Sequence, residues 1–195
     1  MKLHTGGVKI MKRNPVLTDQ KLVLRLLKPE DIDRYYQAFF ENEDEEVSRL
    51  TATDQHFTRE QVYSFLKKVE ADPGRYDFLI QYDGAWMGEI VLYDISEDRH
   101  AGFRIALFHS GYCNRGIGQR AMKLLFDFAF ETLGLEEVEL DVLTFNARAK
   151  HVYEKMGFQF EKTLPGEYTY HGEVWDADLM RLTRERFLEK RNLVG

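Results

Sequence analysis

A chain of 195 residues, 44% of them hydrophobic and 31% charged, has the balance of one globular domain and not of a disordered segment. No apolar run approaches the roughly 18 to 20 residues that span a bilayer, and the single cysteine, Cys113, excludes an internal disulfide framework and a zinc site built on several thiolates. A formal net charge of −6 argues against a nucleic-acid binder, which needs a basic face, and suits a cationic partner.

Residues 1–20 read as an N-terminal arm and 191–195 as a tail, framing one domain over 21–190. Leu22, Leu24 and Leu26 alternate with Val23 and Arg25, which predicts a strand. Pro29 suits the first turn of a helix carrying Ile32, Tyr35, Tyr36, Phe39 and Phe40 at three- and four-residue spacings. An acidic run follows it: Glu41, Glu43, Asp44, Glu45 and Glu46. Thr58 and Gln61 form a capping box for a second helix with Val62, Phe65, Leu66 and Val69 inward, stopped by Asp72-Pro73-Gly74. Phe78, Ile80 and Tyr82 alternate up to an Asp83-Gly84 turn, and 86–93 runs back as the second arm of a hairpin. The segment 102–108 extends this antiparallel meander.

The period then turns helical, with Ile117, Ala121, Leu124, Leu125, Phe128 and Ala129 on one face and Gly134 as a stop. Val138, Leu140 and Val142 predict the next strand, Asn146 caps a helix that ends at Gly157, and 158–163 and 174–182 are two last strands. The expected fold class is α/β (α+β), a mixed, mostly antiparallel seven-stranded sheet with four helices in the order βααβββαβαββ.

Chemistry concentrates in Cys113-Asn114-Arg115-Gly116-Ile117-Gly118-Gln119-Arg120-Ala121, between a strand and an amphipathic helix. Glycines there let backbone N–H groups approach a ligand, the helix N-terminus adds a positive dipole end, and Arg115 and Arg120 add fixed charge. Together they describe a pyrophosphate cradle; the plainer alternative is a glycine turn beside two solvated arginines. The same letters fit GxGxxA, with Asp141 placed as a ribose-binding acid. Against that dinucleotide reading stand the long loop from Phe108 to Gly116 and the preceding hairpins, which leave too little chain for a doubly wound sheet.

That segment resembles the acetyl-CoA motif of the GNAT N-acetyltransferase superfamily. Asn146-Ala147-Arg148-Ala149 with Tyr153-Glu154-Lys155-Met156-Gly157-Phe158 is similar to the N-x-x-A…Y-x-K-x-G-F segment that follows it there. The likeness runs from Leu22 to about Phe187 and is greatest to the branch of ribosomal-protein N-terminal and spermidine acetyltransferases. It departs at Cys113, where Gln or Arg is usual, and in the loop 109–112, which lacks the common Pro.

The resemblance implies that acetyl-CoA, as cosubstrate and without a metal, lies in a splay between the fourth and fifth of the seven strands. Its contacts would come from Leu107, Phe108, Asn114, Arg115, Gly116, Ile117, Gly118, Gln119, Arg120, Asn146 and Tyr153. Backbone N–H groups near Leu107 would polarise the thioester carbonyl. Tyr153, about two helical turns beyond Asn146, would protonate the leaving thiolate. Glu89 is the expected general base, with Asp94, His109, Glu139 or a water chain as alternatives.

Cys113 as a ping-pong nucleophile lacks a paired His, so direct transfer in a ternary complex is expected. The acceptor would be a primary amine: a protein N-terminus, a polyamine or another small amine. Tyr168, Tyr170 and His171 could line its pocket, with Trp175 there too or, more in keeping with a strand tryptophan, packed on the sheet; the acidic run would attract it or else form a solvated helix end. The setting would be cytoplasmic, with no membrane or nucleic-acid partner; a homodimer is compatible with the resemblance. A non-catalytic acetyl-CoA-binding module of the same fold is the competing reading.

Overall fold

Alternation in β2 (Leu22–Leu26) buries Leu22 and Leu24 completely on one face of a single sheet. The structure is a computed structural model describing residues 14–194, with side chains described to Arg191. The expected arm therefore falls outside the described residues over 1–13, as does Gly195 of the expected tail.

The other strands are β1 (Val16–Asp19), β3 (Tyr76–Tyr82), β4 (Ala85–Tyr93), β5 (His100–Leu107), β6 (Glu137–Leu143), β7 (Gln159–Tyr170) and β8 (Glu173–Thr183). Their spatial order is β1-β2-β3-β4-β5-β6-β8-β7, and only β5 and β6 pair in parallel. The class is as expected, with eight strands among the described residues where seven were read. The additional strand, β1, lies inside the stretch read as an arm: Gln20 at φ 53 turns the chain, and Asp19 pairs with Leu22. Its few half-exposed residues carry too little alternation to stand out from a polar arm.

Among the described residues six α-helices form where four helices were expected: α1 (Ile32–Tyr36), α2 (Glu45–Thr51), α3 (Arg59–Ala71), α4 (Ile117–Asp127), α5 (Ala147–Met156) and α6 (Arg184–Val194). The last three residues of the acidic run start α2: Asp44 caps it by accepting from the Glu46 and Val47 N–H groups, and Glu45 and Glu46 sit at its positive end. α6 carries the chain through most of the expected tail and buries Phe187. Among the described residues no helix is long and apolar enough to cross a membrane.

Successive β3 residues serve opposite faces. Phe78 and Ile80 join the larger core, which α4 closes with Ala121, Leu125 and Phe126. Leu79 joins a smaller core with Ile32, Tyr35, Leu66, Trp86 and Phe108, beneath α1 and α3. The central strands diverge: β5 and β6 pair only at His100↔Glu137, Ala101↔Val138 and Gly102↔Glu139. Beyond Gly102 the facing edges of the two strands are open to each other, which makes a splay in the middle of the sheet.

Candidate active site

A cavity of about 1180 Å³ occupies this splay and continues beneath α2 and α3. Strand alternation sets what β5 presents to it. The Phe108 N–H is spent on the Met87 carbonyl at 2.9 Å, so the Leu107 N–H points away from β4, towards the splay. Gly116 precedes α4 at φ +73, a conformation that disfavours a side chain, and no side chain caps the helix. The first N–H to find a helical carbonyl is that of Arg120, on Gly116 at 3.0 Å. The amides of Ile117, Gly118 and Gln119 therefore lack partners in the helix and stand at its positive end. A Cβ at Gly118 would meet only Ile105 Cδ1, at 3.6 Å, so the space beside Gly118 belongs to the cavity and not to the protein's own packing.

Of the residues expected to hold acetyl-CoA, Leu107, Asn114, Gly116, Ile117, Gly118, Gln119, Asn146 and Tyr153 line this cavity, as does Glu89. The structure does not bring three side chains there. Phe108 is 5% exposed and packs on Tyr35 and Phe39, because strand alternation turns it to the smaller core. Arg120 is drawn to Asp19 of β1, whose carboxylate and carbonyl it engages at 2.8 and 2.9 Å. Arg115 stands over the Tyr112 ring at 6.0 Å, outside the lining. Positive charge at the cradle thus comes from backbone amides, and Cys113 lines the cavity beside them.

Asn146 caps α5, its Oδ1 accepting from the Ala149 N–H at 3.1 Å. Tyr153 packs edge-on to Phe103, with ring centroids 6.3 Å apart, and no described residue hydrogen-bonds its hydroxyl. Burial, and then the Asp141 carboxylate, push its pKa well up, so the phenol keeps its proton at neutral pH. Asp141, weighed from sequence only as a ribose ligand, lines the cavity and accepts from the Tyr168 hydroxyl.

Glu89 is 2% exposed. Its Oε2 accepts from the Tyr35 hydroxyl at 2.6 Å, and its Oε1 faces Arg104 Nη2 at 3.0 Å. Arg75 in turn holds the buried Asp77 at 2.7 Å, and Arg104 stands 3.8 Å from it. Burial and the neighbouring Glu89 charge raise the Tyr35 pKa, so this hydroxyl too remains a donor. Sequence reasoning passed over Tyr35 and Arg104; the available signal was a lone arginine inside an otherwise apolar strand.

The alternative bases lie outside the lining. His109 Nδ1 accepts from the Gly111 N–H, Glu139 faces Arg181 at 3.5 Å, and Asp94 follows β4 at φ 51. Tyr168 lines the cavity, whereas Trp175 packs between Phe145 and Tyr170, and the His171 N–H binds Asp54. None of the acidic run lines it either. Asp44 takes both the N–H and the hydroxyl of Ser110, Glu43 accepts from Ser48, and Glu46 pairs with Arg49. Those carboxylates are spent on the fold.

The family described as acetyltransferase (GNAT) domain matches residues 21–159. The chain belongs to that family. This GNAT chain is 31% identical over 119 residues to the spermidine N(1)-acetyltransferase of Escherichia coli K12, an alignment spanning 60% of this chain and 63% of that one. A prophage-derived uncharacterized N-acetyltransferase of Bacillus subtilis, YokL, is 26% identical over 87% of this chain and 94% of its own. Among solved structures, the spermidine N-acetyltransferase of Vibrio cholerae in complex with CoA and spermine superposes with a TM-score of 0.77. That match is at 22% identity and covers 87% of this chain and 99% of that one, a likeness of fold.

Proposed function

We propose that this GNAT chain transfers an acetyl group from acetyl-CoA to a primary amine, directly and in a ternary complex. The reading is carried by one juxtaposition: amides at the positive end of α4 that have no partner in the helix, beside a glycine whose missing side chain leaves open space, in the same cavity as a protonated tyrosine. Acetyl-CoA supplies the activated acetyl group. The N–H groups of Ile117, Gly118 and Gln119 suit its pyrophosphate oxygens, and the inward Leu107 N–H suits the thioester oxygen. Asn146 Oδ1 caps α5, and among the described residues its side-chain amino group has no partner to keep it from the cosubstrate. Tyr153 holds a proton at its hydroxyl to give to sulfur. Glu89, fixed by Tyr35 and Arg104, is the proton acceptor of this scheme. Relatives and a structural neighbour whose names specify spermidine, CoA and spermine support an amine acceptor and a CoA donor.

Release of free thiol from acetyl-CoA with a panel of amines tests the activity. Tyr153→Phe should lower kcat by ~10²-fold and leave acetyl-CoA affinity unchanged. Undiminished turnover, with chemistry shown to be rate-limiting, would reduce Tyr153 to packing. Binding of acetyl-CoA with no thiol release for any amine would make the chain a binding module.

A further inference from the structure

The acceptor end of the cavity has a chemical character of its own. Phe39, Phe40, Val47, Leu50, Phe57 and Phe65 line the arm beneath α2 and α3. Phe57 and Phe65 are each 38% exposed; Arg75 stands over the Phe65 ring at 5.3 Å. The chain is shaped to bring Phe39 and Phe40 there together. At Gln37–Glu41 the helix widens into a π turn, closed by the Asn42 N–H on the Gln37 carbonyl at 3.0 Å. Within that turn Phe39 stacks on Tyr35, while Phe40 meets Phe57 edge-on with centroids 6.1 Å apart.

Carboxylates do not outnumber cations around the cavity. The carboxylates of the whole cavity are Glu60, Glu89 and Asp141, and its cations are Lys68, Arg104, Arg148 and Lys155, with Arg104 already paired with Glu89. A ligand with several ammonium groups would surrender hydration to aromatic walls without a row of free carboxylates in return. One ammonium, directed at the transfer site, can be served there.

Resting on the acetyltransferase reading, we infer that the preferred acceptor is a primary amine on an apolar body, and not a polyamine. The body occupies the aromatic arm, and the amino group reaches the splay near Glu89 and Tyr153. The same chemistry is offered by a free arylalkylamine and by the apolar N-terminal residue of a peptide.

The test measures kcat/KM by thiol release for 2-phenylethylamine, hexylamine, methylamine, spermidine, putrescine and a short peptide beginning with Phe. The apolar amines or the peptide should exceed methylamine and both polyamines by about tenfold or more, the factor expected from burying part of an apolar side chain. Which of the two leads identifies the source. Phe57→Ala and Phe65→Ala, each checked for an intact fold by a thermal melt, should each raise the KM for 2-phenylethylamine severalfold, with the KM for acetyl-CoA and for methylamine unchanged. A preference for spermidine or putrescine, equal rates for methylamine and 2-phenylethylamine, or insensitivity to both substitutions would overturn the inference while leaving the acetyltransferase standing. Absence of thiol release with every amine would overturn both.

Discussion

Replacing Gly118 by Val probes the cradle with little disturbance of the fold. The first new carbon would lie 3.6 Å from Ile105 Cδ1, an ordinary contact, and its branches would extend into the cavity. Gly118 lies in the first turn of α4 without a positive φ, so Val in its place should, if anything, favour the helix by about 0.3 kcal/mol. The melting temperature should therefore move by no more than about 1 °C. Binding should suffer. The added methyl groups hold phosphate oxygens away from the amides of Gly118 and Gln119, and hydrogen bonds to a charged group contribute about 1.5 to 3 kcal/mol each. Loss of about 3 kcal/mol corresponds to a Kd for acetyl-CoA roughly 150-fold weaker. Titration calorimetry reads this directly, with a thermal melt in parallel. Gly116→Val is the contrasting variant. At φ +73 it strains the backbone by about 1 to 2 kcal/mol and should lower the melting temperature by a few degrees. If Gly118→Val binds acetyl-CoA within about threefold of the parent, far short of the expected ~2 log units, the α4 amides do not hold the pyrophosphate.

Arg104→Leu leaves Glu89 buried without its counter-charge and should cost about 2 kcal/mol, less than a fully enclosed pair because Arg104 is about half exposed. Chemical denaturation of this variant and of Arg104→Leu/Glu89→Leu checks it; a double variant no more stable than the single one would show that the pair is not coupled. Asp44→Ala should cost about 1 kcal/mol at pH 7 as a lost cap. Burial opposes ionisation of Asp44, but the Ser110 N–H, the Ser110 hydroxyl and the Val47 N–H outweigh it and hold its pKa below 3.8. A depressed carboxylate contributes stability above its unfolded pKa and loses it as pH falls through the folded value. The gap between parent and variant should therefore persist at neutral pH and narrow below about pH 4; a gap constant down to pH 2 would assign the effect to packing.

Patterns confined to neighbouring residues were legible in the chain. The Leu22, Leu24 alternation, the Asp83-Gly84 turn, the 3.6-residue period of α4 and the glycines of its N-terminus each act over a few residues, and each forms as read. Asn146 as a cap and Tyr153 two turns beyond it follow from one helix alone. Tertiary structure decided what depends on distant partners. Arg120 looks like a phosphate ligand until β1 brings Asp19 beside it, and Phe108 looks like a cleft residue until alternation and α1 turn it to a core. Glu89 reads as a lone strand carboxylate, whereas Tyr35, far behind it in the chain, and Arg104 on the next strand share its two oxygens. The acidic run reads as a charged surface, but Asp44 is spent on a helix end and on Ser110. Propensity and period are local energies and are written in adjacent residues. The direction of a charged side chain is set by which opposite charge the fold carries to it, and that is settled only when the sheet closes.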